Sequence, residues 1–273
     1  MKNLYDLAKE CFLTADPELK MALTDEAAGQ WQSNSLEWQE GEAPLLLNEP
    51  GRLEKPEIVM PRDLGKRKLT KEEGRAALIH SLAHIELTAV NLAWDAVYRY
   101  RDMPVEYYQD WVQCATEEAG HFRMLRQRLQ GMGYDYGSFP AHNELWKMAV
   151  TTGDDLTARM GIVHRVFEAR ALDVVPTTLK RFESQNDKDM IRVLTIICND
   201  EVGHVSSATH WFRHRCEQAQ QDPDQTFFYM MNKYLSKPIA GPFNRLARLQ
   251  AGFSEEELDF LEANDPRAEH NKK

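Results

Sequence analysis

Glu117-Glu118-Ala119-Gly120-His121 and Asp200-Glu201-Val202-Gly203-His204 are two copies of one phrase. Each sets a Glu and a His three residues apart, so on an α-helix both side chains leave one face, a turn apart. Each pair sits in an apolar stripe. The first reads Trp111, Cys114, Glu118, His121, Leu125, Leu129, and the second Leu194, Ile197, Glu201, His204, Ala208, Trp211. That spacing marks the buried face of a helix. A bare carboxylate on such a face is costly unless it is paired, protonated or bound to metal.

Each copy has an upstream companion. Glu86 lies in the stripe Leu82, Glu86, Ala89, Ala93, Val97, and Glu168 in Gly161, His164, Glu168, Ala171, Val175. Glu86 precedes Glu118 by 32 residues and Glu168 precedes Glu201 by 33, so the second set reads as a duplicated helix pair. A lone Glu-x-x-His is common on helices; the matched duplication is what carries weight. Four helices offering Glu, Glu-x-x-His, Glu, Glu-x-x-His inward hold the ligand set of a dinuclear carboxylate centre in a bundle core. Charge agrees, because four buried carboxylates alone repel one another and some must protonate. Two divalent cations balance them, with two neutral imidazoles completing the set. Mixed oxygen and nitrogen donors suit two iron ions, with manganese or a mixed Mn/Fe pair as alternatives and zinc admitted in vitro.

On these residues the chain resembles the ferritin-like di-iron carboxylate superfamily, over about residues 71 to 217. A closer likeness extends through Lys237-Pro238, Gly241-Pro242-Phe243-Asn244-Arg245 and Ala251-Gly252-Phe253. It is to a bacterial ferritin-like family without an assigned reaction, some of whose members carry a legacy "rhamnosyltransferase" label. No strand–Gly-loop–helix unit for a nucleotide sugar accompanies that label in this sequence. The resemblance implies an all-α fold: a ferritin-like four-helix bundle with one long crossover, plus N- and C-terminal helical extensions. It implies Glu86, Glu118, His121, Glu168, Glu201 and His204 as metal ligands. Asp200 stands where several oxygen-activating relatives place an Asp that holds a ligand His, and Glu117 is its match in the first copy. Asn91 and Asp173 each fall five residues after a companion Glu, a repeat-related pair for a place behind the ligands. His164, one turn before Glu168, is an extra ligand of the kind some oxygenases have, or a satisfied core His. His84 is two residues from Glu86 and should point away from it.

The reading that follows is an O2-activating oxidase or hydroxylase acting on a small molecule, with electrons from an external donor. The alternative is a ferroxidase or metal-handling protein, although long extensions would obstruct a cage and fit a monomer or homodimer better. A third reading, tRNA hydroxylation, comes from one branch of the superfamily. The formal charge of −10 disfavours it, since the chain lacks the positive field that draws phosphate backbones.

Hydrophobic residues at 42% and charged residues at 28% are ordinary for a globular chain. The uninterrupted apolar runs fall short of the roughly 20 residues of a membrane span. Met1–Asp6 has no apolar leader, so a cytoplasmic protein is expected. Cys11, Cys114, Cys198 and Cys216 show no C-x-x-C spacing and read as reduced packing residues.

Three segments are expected: 1–70, N-terminal helices and an extended wrapping segment; 71–220, the bundle; 221–273, a C-terminal helical extension. Asp16-Pro17 signals a helix start. Between Ser35 and Thr70, with Pro44, Pro50, Pro56 and Pro61, no helical stripe persists, which reads as an ordered, extended segment or, alternatively, a floppy linker. Thr70-x-x-Glu73 predicts a capping box for a helix reaching about Arg101. Asp102-Met103-Pro104 predicts a tight break before a second helix to about Gln130. Gly131 to about Asp154 is the expected crossover. A third helix is expected from Asp154 to Ser184 with a kink at Pro176, and a fourth from Asp189 to Ala219. Ser254-x-x-Glu257 predicts a cap for a last short helix.

Overall fold

The computed structural model describes residues 2–38, 43–65 and 69–267. The described chain is all-helical apart from a two-residue parallel pairing of β1 (Lys2–Asn3) with β2 (Leu36–Glu37) and a single bridge from Ile58 to Ala141. It forms two compact units, Met1–Val150 and Thr151–Lys273. The division falls inside the 71–220 segment, between the two copies of the repeat.

In the first unit α1 (Leu4–Leu13) and α2 (Pro17–Gln32) precede the long helices α3 (Glu72–Arg99) and α4 (Val105–Gln130). Asp16 caps α2 by accepting from the Leu19 N–H at 2.9 Å, with Pro17 in the first turn, as the sequence predicts. The α3 cap differs from expectation. The helix starts at Glu72, so Thr70 stands one position too early and Lys71 occupies the cap without a side-chain bond. Glu72 and Glu73 in the first turn instead put negative charge against the helix dipole. The break to α4 is tight: Asp102 adopts φ 58° and Pro104 directly precedes the helix. So short a link makes α3 and α4 antiparallel neighbours.

The N-terminal helices pack on this pair, α1 against α3 and α2 against α4. The extended segment is pinned to the unit through its backbone. The Leu45 N–H donates to the Tyr98 hydroxyl at 2.8 Å, Arg99 Nη2 to the Leu47 carbonyl at 2.8 Å, and Trp146 Nε1 to the Asn48 carbonyl at 2.7 Å. Trp146 belongs to α5 (Glu144–Thr151), a helix that the glycine-rich stretch before it conceals from a pattern search. α3 is long and apolar enough to cross a membrane by length and mean hydropathy alone, a test that a buried core helix also passes; 67% of the relevant window is buried within the chain.

The second unit departs from expectation at its first helix. A single helix from Asp154 is replaced by one turn, α6 (Leu156–Ala158), a π-helical stretch Arg159–Phe167, and α7 (Arg170–Glu183). The wider π turn is seen in the Glu168 N–H, which donates five residues back to Val163 at 3.2 Å. Gly161 admits this stretch, because a Cβ there would lie 3.1 Å from the Phe212 ring and 3.3 Å from Met230 Sδ. Pro176 sits within α7 and cannot bond the Leu172 carbonyl; Asn244 Nδ2 donates to that oxygen instead, at 3.2 Å. α8 (Lys188–Gln218) packs along α7 and the π stretch. α9 (Pro223–Tyr234), α10 (Arg245–Gln250) and α11 (Glu255–Ala263) follow. The predicted capping box of α11 is present in full. Residues 268–273, the end of the tail, lie outside the described residues.

Candidate metal centre

In the first unit the structure brings Glu86 of α3 together with Glu118 and His121 of α4. All three are almost completely buried, and one ligand atom from each lies within 4.8 Å of the others. His121 Nδ1 is 3.2 Å from Glu86 Oε2 and 3.3 Å from Glu118 Oε2. Burial, then the neighbouring Glu118 charge, push Glu86 up to about 8. Burial opposes a charge on His121, but its hydrogen bonds to Glu118 and Glu86 outweigh this and raise it. Protons thus hold together a cluster that a divalent cation would hold by displacing them.

In the second unit the candidates fall into two pairs. His164 Nδ1 lies 2.9 Å from Glu168 Oε1, and His204 Nδ1 lies 3.9 Å from Glu201 Oε2. His164 is fully buried, and Glu201 and His204 nearly so. Glu168 Oε2 is buried with no hydrogen-bond partner among the described residues. A carboxylate oxygen left unbonded among the described residues, beside an imidazole, fits a cation. Glu168 lies at the seam where π turns give way to α7, and the Ala171 N–H returns to the Glu168 carbonyl at 2.9 Å.

The residues read as lying behind the ligands have definite places. Glu117 is half-buried and accepts from Gln113 Nε2 at 2.9 Å; Asp200 is half-buried on α8. Asn91 is buried, and its Oδ1 accepts from Lys20 Nζ at 2.6 Å. Lys20, itself 1% exposed, also donates to the Cys11 and Phe12 carbonyls at 2.7 and 2.9 Å, closing the end of α1. Burial pushes Lys20 down to about 7. Its three acceptors match the three donors of an ammonium, which favours the charged form. Asp173 receives Arg248 through Nε at 3.0 Å and Nη2 at 2.7 Å, with Arg170 Nη1 at 2.9 Å and the Asn244 N–H at 2.9 Å. The sequence reading passed over Lys20 and Arg248. Their signal was a cation on an apolar helix face, which local pattern assigns to solvent.

His84 points away from Glu86, as its spacing requires. Its Nε2 is 3.2 Å from the His142 carbonyl and its Nδ1 is 2.8 Å from the Tyr136 hydroxyl. Burial pushes its pKa down to about 4, so the ring is neutral. A carbonyl only accepts; therefore Nε2 carries the proton and Nδ1 accepts from Tyr136. Tyr136→Phe should leave that nitrogen unpaired and cost about 1–3 kcal/mol in urea unfolding. A loss below a few tenths would show that the hydroxyl is not the partner.

These features define an all-helical protein with a duplicated Glu, Glu-x-x-His set, of which Glu168 is half-buried and the other five residues are buried. The chain belongs to the family described as "Protein of unknown function (DUF455)", whose model matches residues 13–259. It is 39% identical over 215 residues to an uncharacterized protein of Haemophilus influenzae, covering 76% of this chain and 75% of the relative. No solved structure matches.

Proposed function

We propose that this chain is a ferritin-like four-helix protein whose Glu86, Glu118, His121, Glu168, Glu201 and His204 are ligands of two iron or manganese ions, and that it is an O2-activating oxidase or hydroxylase of a small molecule. The observation that carries the reading is the buried cluster of Glu86, Glu118 and His121, whose ligand atoms lie within 4.8 Å of one another, together with the Glu168 carboxylate oxygen that has no hydrogen-bond partner among the described residues. Carboxylates gathered in an interior are costly, and such clusters concentrate at functional sites. Bound there, a pair of redox-active ions would supply dioxygen activation, chemistry that side chains alone do not perform.

The chain's own part is to hold, to release protons and to exclude water. Glu86 and His121 must each give up a proton when a cation enters, so affinity for Mn(II) is expected to rise steeply from pH 6 to pH 8, the window below the raised Glu86 value. An affinity flat over that range would remove these two residues from the site. The activity is tested by oxygen consumption. The iron-loaded, reduced chain should consume O2 at a rate that candidate small molecules increase. A reduced, iron-loaded chain inert to O2 with every candidate would sink the oxidase reading and leave metal handling.

A further inference from the structure

Asn91 and Asp173 occupy the same place in the two copies, five residues after Glu86 and Glu168. In each copy that side chain is met by a buried cation from outside the repeat. Lys20 of the N-terminal extension donates to Asn91 at 2.6 Å, and Arg248 of the C-terminal extension grips Asp173 at 3.0 and 2.7 Å. Both cations are 1% exposed. A buried cation is costly, and one buried at matched positions by two extensions unrelated in sequence is a repeated solution to one demand.

The geometry gives that demand. Five residues along α3 turn about 140° around the axis from Glu86, so Asn91 stands on the back of the helix that presents Glu86. A contact there fixes how far the helix is rotated about its axis, and with it where the carboxylate points. In the second unit the need is greater, because Glu168 sits at a change of backbone register. The C-terminal extension holds the chain on both sides of that seam. Before it, Arg165 makes a two-pronged ion pair with Glu257 at 2.9 and 2.6 Å. After it, Arg248 holds Asp173, and Asn244 bonds both the Asp173 side chain and the Leu172 carbonyl freed by Pro176. The two grips share one ring: the Arg165 and Arg248 guanidinium carbons lie 4.4 and 5.0 Å from the centre of Phe253. Gly252 sets that ring in place with φ +88°, where a Cβ would come within 2.9 Å of Thr209 Cγ2.

We infer that Lys20 and Arg248 are positioning residues, each extension bracing the back of one ligand-bearing helix so that Glu86 and Glu168 are held aimed for metal. The inference rests on the metal reading above. It gives the extensions a task at the centre, rather than that of a roof or an appendage.

The test is Mn(II) titration of the full chain by calorimetry, with the visible spectrum of the Co(II) form as a second readout. Loss of groups that orient metal ligands costs about 10–100-fold in affinity. Asn91→Leu and Arg248→Met are each expected to weaken binding of one ion by tenfold or more and to shift the Co(II) bands. Asn91→Asp, which keeps an acceptor for Lys20, should stay within about threefold of wild type. If Arg248→Met fails to fold, Asn244→Ser takes its place; it keeps a capping oxygen for α10, deletes the bond to Leu172 and should cost at least about threefold. Variants that melt earlier yet bind Mn(II) and colour Co(II) as wild type does would overturn the inference alone. Wild-type chain that takes up neither metal would overturn the metal reading, and the inference with it.

Discussion

Glu257→Ala is expected to lower the stability of the chain by about 3–5 kcal/mol, the usual loss when one member of a buried ion pair is removed. Arg165 is fully buried and Glu257 is 1% exposed. With the carboxylate gone, the partners left to Arg165 among the described residues are Thr209 Oγ1, at 3.0 Å, and the faces of Phe212, Phe227 and Phe253. An aromatic face offsets about 2 kcal/mol or somewhat more of a desolvated cation's cost and supplies no counter-charge, so it does not replace the ion pair. The same substitution takes away the Glu257 side chain that accepts from the Ser254 N–H at 2.9 Å, so the α11 capping box fails with it. Glu257→Gln keeps that box and isolates the charge; it should recover about 1 kcal/mol of the loss. Urea unfolding of the two variants measures both quantities. A loss under 1 kcal/mol for the alanine would show that Arg165 finds another counter-charge.

Glu118→Gln is expected to change two things in opposite directions. In the metal-free chain Glu86 has a folded value near 8 against 4.5 when exposed. Between those values the unfolded chain has lost a proton that the folded chain retains, so stability falls as pH rises through the window. Burial is the largest cause and Glu118 the next; neutralising Glu118 should therefore reduce the slope without abolishing it. With Mn(II) present the order reverses. A ligand at a hundred times its dissociation constant stabilises the folded state by about 2.7 kcal/mol per site, and Glu118→Gln should lose most of that gain. Thermal melts from pH 5 to pH 8, with and without Mn(II), read both effects. A variant as steep in pH and as responsive to metal as wild type would separate Glu118 from the cluster.

What the sequence disclosed was whatever is encoded locally. The Glu-x-x-His stripes, the caps at Asp16 and Ser254 and the break at Asp102–Pro104 each depend on residues within a turn or two, and each was legible. The π stretch was not, because nine residues in a wider register leave the apolar pattern of Gly161 to Val175 nearly unchanged. α10, at six residues, is too short to show a period. The Thr70 cap misled because a capping box is defined by spacing alone, and the helix begins one residue later than that spacing requires. Asn91 and Asp173 were singled out by the repeat, but their partners Lys20 and Arg248 stand 71 and 75 residues away in sequence. A single sequence does not display which cation comes to which helix. The three candidate ligands of the first unit were found because burial and repetition are both written in the helix period. Their mutual distances, and the proton that Glu86 retains, come only from the packing.

The central claim is that the duplicated acids and imidazoles hold metal, and metal content tests it most directly. Protein made without a metal-binding tag, in medium supplying iron and manganese, should carry about two such ions per chain by mass spectrometry. A folded Glu118→Ala/Glu201→Ala variant prepared alongside should carry essentially none. Wild-type protein that is folded, refuses both Fe(II) and Mn(II), and matches the double variant would contradict the account and leave a helical scaffold with an acidic interior.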